Sequence, residues 1–175
     1  MRRLRFALSL LAVAALAFTV AGTADARVEP LRPVRTAEFS VSVPARWKTV
    51  VDVGAMKLIS VARTRDSGVF TNANVIEGAA RRGVPLERWR AQVVAELAAA
   101  PMVHGVPRAR VVHIGGVPAI ELEYTGSLGG AELHWLAYAF DTGTHGYVLT
   151  FTAAESAYGR YAPTFARIAR SFRVR

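Results

Sequence analysis

Four apolar runs between Ala109 and Thr152 are separated by turns too short for anything but antiparallel hairpins. The runs are Ala109–Ile114, Ala119–Thr125, Glu132–Phe140 and Tyr147–Thr152. The turns between them are Gly115-Gly116, Gly126-Ser127-Leu128-Gly129-Gly130 and Asp141-Thr142-Gly143. A parallel pair needs a crossover of about a dozen residues or more, and none of these turns supplies one. This block therefore folds as an antiparallel meander. Upstream, Phe39, Val41 and Val43 alternate with Ser40 and Ser42, as in a half-buried strand that Pro44 ends. Trp47 follows as a core anchor. Met56–Ala62 and Thr71–Ile76 read as two more strands around a turn near Asp66-Ser67-Gly68.

Two helices complete the pattern. Pro85 opens the first, with Glu87 in its first turn where a carboxylate suits the helix dipole. Leu86, Trp89, Val93 and Leu97 share one face, and Pro101 stops the helix. His104–Pro107 reads as loop. The second helix is expected from about Pro163 to Phe172, with Tyr161, Phe165, Ile168 and Phe172 as its apolar stripe. Pro163 is placed in its first turn, because proline inside a longer helix removes a hydrogen bond and clashes with the preceding turn. Helices do not alternate with strands, so the fold class is α+β: an antiparallel sheet with helices packed on it. No internal repeat is visible.

The N-terminus sets the compartment. Arg2, Arg3 and Arg5 precede an apolar run of about 15 residues from Phe6 to Val20, and Ala24-Asp25-Ala26 follows with small residues at the cleavage positions. The run is short of the roughly 20 residues of a spanning helix, so residues 1–26 read as a cleaved secretory signal rather than an anchor. Arg2-Arg3 raises twin-arginine export, but Leu4-Arg5-Phe6 puts a charge where that route prefers an apolar residue, which favours the general secretory (Sec-type) route. The protein is expected to be secreted, or periplasmic or cell-wall associated. Residues 27–36, with Pro30 and Pro33 among charges, read as an extended leader, and 37–175 as a single α+β domain. There is no cysteine, so neither a disulfide nor a lipidated cysteine is available. No transmembrane helix is expected once the signal is removed.

The precursor carries a net charge of +9. Removing Arg2, Arg3, Arg5 and Asp25 takes away a net +2 and leaves +7. In an exported protein nucleic acid is not the expected target of that charge, whereas anionic lipid head groups or acidic wall polymers are. A solvated basic surface is the plainer alternative.

Little catalytic chemistry is visible. Gly126-Ser127-Leu128-Gly129 approaches a nucleophile elbow, but its spacing is wrong and its place is a hairpin tip. No phosphate-binding glycine loop and no His-Glu-x-x-His is present. Glu121 and Glu123 share one strand face, and pairing through the glycine-rich turn brings His134 beside them; two carboxylates and an imidazole can hold a divalent cation. A metal-assisted hydrolase using Glu121, Glu123 and His134 is therefore the enzymatic alternative, although a charged sheet face is the more ordinary outcome. The same carboxylates as a glycosidase pair lack sugar-stacking aromatics beside them. Tyr138 and Phe140 share one strand face, Tyr147 and Phe151 another. Such a face is either covered by a helix or forms a ligand groove. Arg160, Arg167 and Arg170 lie near one side of the last helix, where they can meet phosphate groups.

The order of these motifs resembles the PsbP-like superfamily. Phe39-Ser40-Val41-Ser42-Val43-Pro44 followed by Trp47 resembles the family's opening F-x-V-x-V-P-x-x-W. Asn74-Val75, Gly115-Gly116-Val117-Pro118-Ala119, Tyr147-Val148-Leu149-Thr150 and the ending from Tyr161-Ala162-Pro163-Thr164-Phe165 through Ile168 to Ser171-Phe172 follow in order. The resemblance spans about Glu38 to Val174 and is nearest to the exported bacterial branch of LpqN-type lipoproteins, without their lipidated cysteine. It implies an α/β/α sandwich around a central antiparallel sheet, and a non-enzymatic binding or accessory role. The expectation is an exported envelope protein, monomeric and without cofactor, that engages an envelope protein complex or an anionic amphiphilic ligand. The expected binding residues are Tyr138, Phe140, Tyr147, Phe151, Arg160, Arg167 and Arg170. A structural wall protein with no small ligand is the remaining alternative.

Overall fold

The computed structural model describes residues 29–175 apart from 79, 82 and 144; the signal segment lies outside the described residues. In chain order the elements are β1 (Leu31–Arg35), β2 (Phe39–Pro44), β3 (Lys48–Val53), β4 (Met56–Asp66), β5 (Val69–Gly78), α1 (Leu86–Ala98), β6 (Val103–Ile114), β7 (Val117–Leu128), β8 (Ala131–Asp141), β9 (Gly146–Ala154), α2 (Glu155–Ser171) and β10 (Arg173–Val174). Seven strands form one antiparallel sheet in the order β3-β4-β5-β9-β8-β7-β6. A small sheet, β1-β2-β10, lies with α2.

Side-chain alternation along the strands divides the core in two. On one face Ile120, Leu122 and Tyr124 of β7 and Trp135, Ala137 and Ala139 of β8 meet Trp89, Val93 and Leu97 of α1. On the other, Tyr138 and Phe140 of β8 and Tyr147, Leu149 and Phe151 of β9 meet Phe165 and Ile168 of α2, Phe172 just beyond it, and Phe39, Val41 and Val43 of β2. Phe165, Ile168 and Phe172 are fully buried, which contributes about 2 kcal/mol each. The Ser42 amide donates to Ser171 Oγ at 2.8 Å and ties α2 to β2. The architecture is the expected α/β/α sandwich around an antiparallel sheet.

The elements differ from expectation at the prolines. Leu31–Arg35, placed in an extended leader, is a strand paired with β2. Pro33 is tolerated there because β1 is an edge. His104–Pro107, expected as loop, belongs to β6, where a register shift between His104 and Arg108 accommodates Pro107. Lys48–Val53 forms β3, a strand not anticipated at all. The largest correction is α2, which starts at Glu155, so that Pro163 lies inside it. Both Pro163 and Gly159, four residues earlier, are exposed, so water can serve the carbonyl that proline leaves without its donor.

Candidate functional site

α2 follows β9 without a loop and packs against β9, β8 and β2. It leaves the same face of β6 and β7 open. Register fixes what that open face presents: Arg110 of β6 stands opposite Glu121 of β7, and Arg108 opposite Glu123. The next strand places Tyr138 opposite Glu121 and His134 opposite Thr125. Between this face and the C-terminal half of α2 lies a cleft of about 410 Å³. Val112, Ile114, Ala166 and Ala169 supply its apolar lining; Arg110, Arg170 and Arg173 supply its basic groups, and Glu121 and Tyr138 the remaining polar ones. The β6–β7 turn closes one end. Gly115 has a φ of +59°, and a Cβ there would lie 3.1 Å from the carbonyl oxygen of Phe172, so this close approach requires glycine.

The charges in the cleft are unevenly committed. Arg110 Nε donates to Glu121 Oε1 at 2.6 Å; the Glu121 side chain is 15 % exposed and that of Arg110 73 %. That hydrogen bond holds the guanidinium above its ordinary range. Burial, and then the charge of Glu121, push the Tyr138 hydroxyl up, so it stays protonated as a donor. Arg173 Nη1 donates to the carbonyls of Arg170 and Phe172 at 2.7 and 2.6 Å, serving the C-terminal end of α2. Arg170 lies in the last turn of the helix and lines the cleft. Cationic groups therefore outnumber the one lining carboxylate, and that carboxylate is already paired.

A second hollow of about 210 Å³, farther along the same face, is lined in part by His104, Arg108, Glu123 and His134. The His134 ring stacks on Tyr158 of α2 with centroids 3.4 Å apart. Its Nε2 lies 3.0 Å from Glu123 Oε1 and its Nδ1 2.9 Å from Glu155 Oε2. Burial pushes the Tyr158 hydroxyl up, with Glu123 adding to the effect. The arrangement joins β7, β8 and the start of α2.

Glu121 and Glu123 share a face as expected, but they serve different partners. Glu121 is held by Arg110, while Glu123 pairs with His134. Among the described residues no group of three or more acidic or histidine side chains is arranged to hold a metal ion. Ser127 Oγ lies 3.1 Å from His104 Nε2 but donates to Glu132 Oε1 at 2.5 Å, and Glu132 is 3.7 Å from His104 Nδ1. A carboxylate that accepts the serine hydrogen bond itself, on an exposed hairpin, is not the orienting group of a nucleophile–base relay.

The expected aromatic groove is core instead. Phe140 and Phe151 have no exposed surface; Phe140 meets Phe172, and Phe151 stacks on Phe165 with centroids 4.9 Å apart. Tyr147 is buried beside them, and of the four only Tyr138 lines the cleft. The arginine row of α2 also divides. Arg160 pairs with Asp66, which accepts from the Tyr161 hydroxyl as well. Arg167 Nη1 donates to the Glu29 carbonyl at 2.9 Å. Arg170 alone of the three lines the cleft. Sequence reasoning missed Arg110 and Arg173. Arg110 had a usable signal, since it and Glu121 are equidistant from the Gly115-Gly116 turn and a tight hairpin must set them opposite each other.

No family model and no curated protein matches the chain. Solved structures do. LpqN of Mycobacterium tuberculosis, described as involved in cell envelope biogenesis, aligns with a TM-score of 0.60 at 14% identity, over 85% of this chain and 87% of its own. Cyanobacterial PsbP (CyanoP) from Synechocystis sp. PCC 6803 aligns with a TM-score of 0.62 at 17% identity, over 90% and 98%. PA94 from Pseudomonas aeruginosa, a protein of unknown function described as a putative regulator, aligns at 0.56 and 14% identity, over 81% and 94%. The chain has the PsbP-like fold. Among the described residues no helix is long and apolar enough to cross a membrane.

Proposed function

We propose that this protein is an exported, non-enzymatic accessory protein of the cell envelope, which binds an anionic group of an envelope component in the cleft beside α2. The observation that carries the reading is the charge of the cleft. Arg110, Arg170 and Arg173 stand around a mixed polar and apolar hollow whose one carboxylate, Glu121, is already bonded to Arg110. Guanidinium groups bind phosphate and carboxylate oxygens through paired donors, and Val112, Ile114, Ala166 and Ala169 offer an apolar wall for the neighbouring part of an amphiphile. Phe140, Tyr147 and Phe151, buried in the core, take no part. Export is supported by the basic and apolar N-terminal segment, and an envelope role by the shared fold of LpqN.

The test is co-sedimentation with vesicles containing phosphatidylglycerol at low salt. The protein is expected to pellet, and to be released at high salt as the charges are screened. Arg110→Gln combined with Arg170→Gln should weaken binding about 30-fold, from about 1 kcal/mol per arginine. Absence of vesicle binding, together with no envelope protein captured through these arginines, would overturn the reading.

A further inference from the structure

Five of the six large apolar side chains exposed among the described residues lie on the two edge strands of the main sheet. Val50, Val51 and Val53 are on β3, at 42, 41 and 58 % exposure; Val106 and Val111 are on β6. Edge strands are ordinarily protected against pairing by bulges, prolines or charges. β6 has all three: the register shift after His104, Pro107, and Arg108 and Arg110. β3 has neither bulge nor proline; its pairing with β4 is regular from Lys48 to Val51 and resumes at Val53, and its only charges are Lys48 and Asp52. One edge of the sheet carries all three protections and the other only two charges, one towards each end of the strand.

We infer that β3 is the contact between two copies of this chain, which pair antiparallel across a two-fold axis and join two seven-stranded sheets into one of fourteen. The geometry selects the register. A two-fold axis perpendicular to the sheet preserves its faces, and residues directly opposite each other share a face. The axis must therefore pass beside one residue, not between two. With Val50 on the axis, Lys48 of each copy stands opposite Asp52 of the other, and Thr49 opposite Val51. With Val51 on the axis, Asp52 would stand opposite Val50 and Lys48 opposite Gly54. Opposite charges across a strand pair stabilise it, so the register centred on Val50 is the favoured one. Asp52 has a φ of +55°, which places the end of the regular ladder there. Pairing β3 with β6 of another copy would leave free edges and grow without closing, whereas pairing β3 with itself closes at a dimer. The inferred state is a two-fold dimer where the sequence led to the expectation of a monomer, with the cleft beside α2 near the opposite edge of each sheet.

The natural absence of cysteine gives a direct test. In the stated register, position 50 lies about 5 Å Cα to Cα from its copy, within disulfide reach, and position 51 about 8 Å from its own, beyond it. Val50→Cys should oxidise to a covalent dimer, and Val51→Cys should not. Sedimentation of the unaltered protein should show a concentration-dependent dimer that Val50→Lys abolishes; because Val50 is exposed, that variant keeps its fold, which circular dichroism checks. A monomer at all concentrations with no cross-linking at position 50 would overturn the inference. Preferential cross-linking at position 51 would overturn the register, and species growing beyond a dimer would point to β3–β6 pairing and overturn the closed dimer.

Discussion

His134 joins three elements through one ring: Glu123 on β7, Glu155 and Tyr158 on α2, and its own strand β8. Truncating it removes two charge-assisted contacts and a stacked ring, so His134→Ala should lower stability by about 2 kcal/mol, read from the urea midpoint. Gly126 is more stringent. A Cβ there would fall 1.8 Å from the Met102 carbonyl oxygen, which already accepts from the Ser127 amide at 2.9 Å. Gly126→Ala should therefore cost more than about 3 kcal/mol, because backbone must move. Glu77 is held below its ordinary value of 4.5, first by the Lys57 hydrogen bond and then by His145, against the opposing effect of burial. A carboxylate lowered on folding contributes stability above its unfolded value and loses that contribution as pH falls through the folded one. The stability of the protein should thus decline below pH 4.5, and Glu77→Gln should make that decline shallower in denaturation measured across the acid range.

α2 is the element whose sequence is least consistent with its structure. Gly159 lies in its interior with a negative φ and open space around its missing Cβ. Gly159→Ala should raise the thermal midpoint, with a gain of about 0.5–1 kcal/mol. A result of the opposite sign would mean that residues 155–162 are not helical. The strands from Ala119 to Thr152 were legible because short glycine-rich turns allow only one pairing mode. The apolar faces of both helices were legible from spacing: Trp89, Val93 and Leu97 are buried as expected, as are Phe165, Ile168 and Phe172. The rest was obscured by local signals that tertiary structure overrode. Pro33 masked β1, Pro107 masked the start of β6, and Pro163 masked the first two turns of α2. β3 was missed for another reason: its valines are exposed at an edge, so they show no alternation between buried and open faces.

Over the whole molecule, the pattern of elements and their order pointed to the PsbP-like sandwich, and the likeness to LpqN and CyanoP agrees with that fold. The site was less legible. Glu121, Tyr138 and Arg170 were singled out in sequence, but their grouping depends on where α2 crosses the sheet, and no local spacing encodes a crossing. Conversely, Phe140 and Phe151 had the composition of a binding face, yet the second half of α2 covers them. The anion-binding role proposed for the cleft is tested most directly by titrating the isotopically labelled protein with phosphatidylglycerol micelles at low salt and following backbone amide shifts. Saturable shifts should concentrate at Val112, Ile114, Ala166, Ala169 and Arg170, and disappear in the Arg110→Gln, Arg170→Gln variant. Shifts absent from these amides, or spread evenly over the other exposed arginines such as Arg35 and Arg63, would contradict a binding site in this cleft.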